Sequence, residues 1–390
     1  MTMPFHPGAA RLAAGSARAE RGLTLVELMV SIALGLLVIG AVLYVYLGSK
    51  GAYRTNKSTS RVQEAGRFGL DAMLRDIRQA GFIGCGSRLS LADFQAQGIY
   101  QLATPKLNVM APGQSVVGYA TAAWAKPANL TVQPLTNTDD VVELQVGYGG
   151  SVQMVKDPDL TVPALYLANN CGAKVKMDNY LLVSSCTVAT LVRVSNQPPA
   201  TAAQCPTSGV VAGGVEVDYA AADTNGATVN TFPASGSHAL SAVAQSSPTL
   251  TSLPNVQSFD DVVYYVGQVA SGARPPALYR YSATAAAAAP AGAGGSEEII
   301  DHVENLCALY GVSNAGAVTY ENAAAVTAAN AWASVVSVRI SLLAVGDENG
   351  VVDAPQPALP WCAGTLAIGA TDTHYHQVFT ATAALRDHLQ

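Results

Sequence analysis

From Leu23 to Leu47 the chain runs through 25 apolar or small positions whose only charge is Glu27. At about 1.5 Å per residue a helix of that length spans roughly 37 Å, enough to cross a bilayer. A secretory signal would have a shorter apolar core, with a small-residue cleavage site after it. Here the charged leader ends in Arg21-Gly22, before the run. Cleavage there leaves the hydrophobic segment on the mature chain. An acid so early in such a helix is costly in lipid, so Glu27 calls for a function. Basic residues flank the segment on both sides, with Arg11, Arg18 and Arg21 before it and Lys50, Arg54, Lys57 and Arg61 after it. Charge alone therefore does not orient it.

The wording Arg21-Gly22-Leu23-Thr24-Leu25-Val26-Glu27-Leu28-Met29 resembles the class III leader of type IV prepilins and pseudopilins. The resemblance implies a leader over residues 1–22, cut by a prepilin peptidase between Gly22 and Leu23, with N-methylation of Leu23. It places the leader in the cytoplasm and the remainder in the periplasm. It also makes Glu27 the filament-assembly residue. A carboxylate inside a dry helical bundle is heavily penalised unless paired, and a neighbouring subunit's amino terminus would pair it in one stagger.

The helix is expected to continue beyond the membrane, over residues 23–82. No proline occurs between Pro7 and Pro105. Leu70, Met73, Leu74 and Ile77 fall at i, i+3, i+4 and i+7, and Arg67, Asp71, Arg75, Asp76 and Arg78 are expected largely on the other side. Gly81 and Gly84 mark the end. Glycines 35, 40, 48, 51, 66 and 69 are read as softening the helix.

Residues 83–390 read as a β-rich head. Val142, Leu144 and Val146 alternate with Glu143 and Gln145 as in a half-buried strand. Tyr180–Val183 and Val188–Val194 suit two more strands, and 262–266 with 278–281 suit a hairpin. Residues 336–342 and 376–382 complete the clear strands, while 299–311 fits helix or strand. The stretches 200–254 and 284–295, rich in Ala, Gly, Ser, Thr and Pro, read as surface excursions. The fold class expected is α+β: a long N-terminal helix packed on an antiparallel sheet, with large loop insertions.

Several stretches resemble the minor pilin family of type IV pilus assembly protein W. They are Arg75-Asp76-Ile77-Arg78-Gln79-Ala80-Gly81-Phe82-Ile83-Gly84-Cys85, Tyr180-Leu181-Leu182-Val183-Ser184-Ser185-Cys186, Val263-Tyr264-Tyr265-Val266-Gly267 with Leu278-Tyr279-Arg280, Val303-Glu304-Asn305-Leu306, and Val378-Phe379-Thr380-Ala381-Thr382. Ser185 and Asp387 depart from the family's usual Asp and Asn. The resemblance implies a non-enzymatic subunit that primes or caps a type IV pilus. Its implied partners are other minor pilins, a tip adhesin, the major pilin and the inner membrane. A type II secretion pseudopilin of the J kind shares the leader and helix. A membrane-anchored ligand-binding module is the alternative from another class.

Composition agrees with an extracytoplasmic role. Only 12% of the 390 residues are charged and the net charge is −6. The leader carries three Arg against one Glu, so the chain from Leu23 carries −8. That balance gives nucleic-acid binding no support. Six cysteines stand at 85, 171, 186, 205, 307 and 362, without a Cys-x-x-Cys pair. Disulfides are expected. Six cysteines allow 15 pairings, among which Cys171 with Cys186, flanking a strand-like segment, is favoured. No cofactor or metal is expected. His374 and His376 are two apart on an expected strand but lack an obvious completing set. Asp139-Asp140 and Asp260-Asp261 read as turn acids before strands, and Asp347-Glu348-Asn349-Gly350 as a turn.

Overall fold

In the computed structural model, residues 24–82, 114–127, 130, 132–135, 140–155, 164–169, 175–184, 189–195, 214–220, 255–269, 274–288 and 294–385 are described. They fall into two compact units divided between Thr55 and Asn56. The division lies inside a single helix, α1, Leu25–Gln79.

The first unit is helical from Leu25. Its apolar segment is long and apolar enough to cross a membrane, and none of it is buried. Leu25, Val26, Met29, Ile32, Leu36, Leu37, Ile39 and Val42 are all exposed.

The second unit begins with the rest of α1, whose Val62, Met73 and Ile77 are completely buried. The apolar spacing read from the sequence is thus the core face. It packs against two antiparallel sheets. The larger contains eight strands. They are β1 (Val116–Ala120), β2 (Gln133–Pro134), β3 (Asp140–Gln153), β5 (Tyr180–Ser184), β6 (Ala189–Arg193), β8 (Asn255–Gln268), β9 (Ala277–Ser282) and β10 (Ser296–Asp301). The longest path through it runs β1-β3-β8-β5-β6, and β9 and β10 branch from β8. The second sheet is ordered β12 (Ala317–Glu321), β11 (Val303–Asn314), β13 (Val335–Val345), β16 (His376–Ala384). The expected hairpin forms, with Tyr264 opposite Arg280. The ambiguous stretch 299–311 is strand. The clearest sequence strand, β13, lies inside its sheet between β11 and β16.

Several expectations are corrected by packing. β3 and β8 are covered on both faces. Val142, Leu144, Val262 and Tyr264 meet the α1 side, while Val141, Val263 and Tyr265 join a second cluster. Glu143 is therefore buried, not solvent-facing. Asp140 opens β3, at the strand start expected for it, whereas Asp260 and Asp261 stand in the middle of β8 and are buried. The excursion 200–254 contains β7 (Val215–Asp218), which pairs with β4 (Ala164–Leu167) over a third cluster. The alanine-rich stretch begins as a short helix, α2 (Ala283–Ala288), with Ala283 and Ala286 buried against the larger sheet. A third helix, α3 (Ala323–Ala328), is capped by Asn322.

Gly66 and Gly69 do not soften α1; they let it approach the sheets. A Cβ on Gly66 would run into the Phe379 ring of β16, and one on Gly69 would lie 2.9 Å from Leu342 of β13. Beyond β13 the chain folds a small hairpin of β14 (Leu359–Trp361) and β15 (Gly364–Leu366). Its turn residue Cys362 is joined by a disulfide to Cys307 of β11. The favoured pair, Cys171 and Cys186, lies outside the described residues.

Candidate functional site

Gly22 and Leu23 lie outside the described residues, which begin at Thr24. Thr24 caps α1: the amide of Glu27 donates to its Oγ1 at 3.2 Å. Thr-x-x-Glu is a helix-start pattern, so this role of Thr24 was legible in the sequence but missed there. The cap places Glu27 in the first turn, exposed, where a negative charge complements the unsatisfied amides. Apolar side chains surround it in sequence on both sides. This arrangement presents one carboxylate at a fixed height on an otherwise greasy helix.

The same helix is fixed to the head by polar contacts invisible to periodicity. Asp76, expected on the solvent side, is buried. Its Oδ2 accepts from Tyr264 Oη at 2.8 Å and from Arg280 Nε at 2.9 Å. Burial, followed by the neighbouring Asp76 carboxylate, pushes the Tyr264 hydroxyl far above its usual range, so it stays a donor. Arg280 and Tyr264 face each other across β8 and β9, which fixes the geometry of the clamp. Nearer the start of the second unit, Lys57 and Arg61 reach Asp347 at 3.4 and 3.9 Å. His302, in the left-handed backbone region at φ 62°, adds a contact to Asp347 and lies 3.1 Å from Asp301. The Asp347-Glu348 turn is therefore a docking point for α1.

The histidine pair differs from its sequence reading. His374 precedes β16, and only His376 lies in it. Acids also surround them: His376 Nε2 lies 3.2 Å from Glu304 and 3.5 Å from Asp372, and His374 Nδ1 lies 2.7 Å from Asp372. Burial pushes His376 down, but the Glu304 and Asp372 carboxylates outweigh it and raise the net value. Burial pushes Asp372 up, but the His374 amide and ring and the nearby His376 more than offset this, and its value is lowered. Among the described residues, the group of ligand-type atoms close enough to share a metal is Asp140, Cys307 and Cys362. Both sulfurs are tied in the disulfide, so they offer no thiolate. Asp140 instead accepts the Ala308 amide at 2.9 Å, and burial pushes its carboxyl up to about 6.

The described residues combine an exposed apolar helix, with Glu27 in its first turn, and a β head built around that helix's second half. Residues 17–43 match the prokaryotic N-terminal methylation motif. Residues 263–387 match the family described as Type IV Pilus-assembly protein W, a span that covers β9 to β16 and the end of β8 from Val263. Together the matches are those of a PilW-type pilin with a class III leader. No curated protein and no solved structure matches the chain. The motif implies processing by a prepilin peptidase and association with the pilus machinery, and the helix and motif indicate membrane anchoring and a pilus. The family matches imply a structural rather than an enzymatic protein.

Proposed function

We propose that this chain is a minor pilin that helps initiate assembly of a type IV pilus and caps it. The supporting observation is the joining of two matches through one helix. The methylation motif opens α1, and the strands of the PilW match pack on the second half of α1 and hold its Asp76. The large head favours an end position, since a bulky subunit stacks poorly along a shaft. Before assembly the protein sits in the inner membrane with its head in the periplasm; afterwards it sits at the pilus tip. Its neighbours are other minor pilins, the major pilin and a tip adhesin.

In this reading Gly22 and Leu23 form the processing junction, Leu23 is methylated, and Glu27 sets the stagger by pairing with a neighbour's amino terminus. Substituting Gly22 leaves an uncleaved, unassembled precursor, visible as a size shift on an immunoblot. The Glu27→Ala chain is cleaved normally but falls strongly in sheared pili, as measured by mass spectrometry. Normal incorporation of Glu27→Ala sinks the stagger argument. Deleting the gene should abolish piliation-dependent motility; loss of protein secretion with intact motility moves the chain to the type II secretion pseudopilins instead. Full function of an uncleaved Gly22 variant would favour a membrane-anchored binding module.

A further inference from the structure

Among the described residues, β16 lies at the edge of its sheet, paired on one side alone. Its nine residues pair with β13 in unbroken register, from Ala384 opposite Ser337 to His376 opposite Val345. Backbone groups alternate direction along such a ladder. Tyr375 O accepts from Gly346 N and Leu385 N donates to Val336 O, so the odd-numbered residues face β13. The even-numbered residues therefore turn their N–H and C=O groups to the other side. His376 confirms this, because its outward groups are occupied by the side-chain amide of Gln356. That amide donates to His376 O at 3.1 Å and accepts from His376 N at 2.5 Å. It imitates one peptide unit of a next strand and stops there. Thr380 and Thr382 are exposed. Among the described residues, no strand pairs with their outward groups or with those of Ala384.

Soluble proteins blunt such edges with charges, prolines, bulges or short length. Three other edge strands follow that practice. β12 and β1 have five residues each, and β10 carries Glu297, Glu298 and Asp301 and is bulged. β16 is longer, has no Lys, Pro or bulge, and reads His-Gln-Val-Phe-Thr-Ala-Thr-Ala-Ala.

We infer that the edge of β16 from Thr380 to Ala384 accepts a strand of another subunit of the same filament, which adds as a fifth strand beyond β16. This rests on the pilin reading above. The occupant is an extended, uncharged segment of about five residues. Its side chains alternate: apolar on the side of Phe379 and Ala381, which face α1, and small or hydroxyl-bearing beside Thr380 and Thr382.

The test places a photo-crosslinking amino acid at Thr380, Thr382 or Ala384 of the full chain, in cells producing every filament subunit. Adducts are mapped to the residue by mass spectrometry. The expected result is one partner subunit whose crosslinked position moves by two residues for each step of two along β16. Thr382→Pro removes an outward N–H and spares the β13 ladder. It should lower the Thr380 adduct about tenfold while the head's unfolding temperature holds. If that variant misfolds, Thr382→Lys decides, with the same expected loss. Adducts within this chain, adducts on a protein outside the filament, adducts without the two-residue step, or adducts unchanged in a folded edge variant each overturn the inference. Sheared pili from the same cells are analysed in parallel. A chain present in pili but without edge adducts loses the strand-addition inference and keeps the pilin reading; a chain absent from pili loses the pilin reading itself.

Discussion

The two units of this protein use one helix in opposite ways. Between Leu25 and Thr55, α1 exposes Leu, Ile and Val on every side, and a Cβ on Gly35, Gly40, Gly48 or Gly51 would meet nothing within 4 Å. From Asn56 to Gln79 the same helix buries one face against two sheets, and its glycines are sites of closest approach. Such a contrast has a plain physical meaning. Burying apolar side chains stabilises by roughly 25 cal/mol per Å². The second half obtains that stabilisation from its own head. Among the described residues, the first half buries none of its apolar segment in its own unit.

Breaking the second unit should be easiest through its long-range ties. Cys362→Ser opens a loop spanning 55 residues of sequence, and the chain-entropy relation puts the cost near 4 kcal/mol. Urea unfolding of the processed protein in detergent, with and without reductant, measures it. The wild-type chain under reductant should match the variant.

Asp76→Ala removes the carboxylate that Arg280 and Tyr264 share, with an expected cost of about 3 kcal/mol. Asp71→Ala, whose ion pair with Arg75 is exposed, should cost less than about 0.5 kcal/mol in the same unfolding experiment. Equal effects would remove Asp76 from its place as the helix clamp.

The glycines sharpen the comparison most directly. Gly66→Ala drives a methyl into Phe379 and should cost about 2 kcal/mol in thermal unfolding of the head. Gly40→Ala should leave that transition unmoved, since the site is open and alanine is the better helix former by about 1 kcal/mol.

The pH dependence is of similar or smaller size. Burial raises the Asp140 and Asp260 carboxyls to about 6 from a usual 3.8. The folded chain thus holds protons that the unfolded chain releases. Their stabilising contribution is complete below about pH 3.8 and is lost as pH rises through about 6, by about 1–3 kcal/mol per group. His376, raised by Glu304 and Asp372, acts in the same direction at higher pH. Asp372, lowered, acts oppositely, and its contribution is lost as pH falls below the ordinary carboxylate range. Urea midpoints should therefore be higher at pH 5 than at pH 7.5, and Asp260→Asn should flatten the difference.

The amino-acid order determined by itself whatever depends on neighbours close in the chain. The apolar run with Glu27, the core face through Met73 and Ile77, and the alternation of β13 are all local patterns. They were legible because a helix or strand repeats over a few residues. Thr24 belonged to this class too and needed only the capping rule. What the tertiary structure decided is what joins distant residues. Asp76 looked solvent-facing because its partner Arg280 lies 204 positions away. Gly66 looked like a flexible point because Phe379 supplies the ring that needs its missing Cβ. Glu143 and Asp261 looked exposed or turn-like because nothing local says that a second layer covers both faces of β3 and β8. The cysteine pairing of β11 to the β14–β15 turn could not be chosen from spacing, since many pairings close loops of comparable entropy. Local periodicity specifies each element's buried face. Only the assembled sheets determine which partner that face receives, and which edge, here β16, is left without one among the described residues.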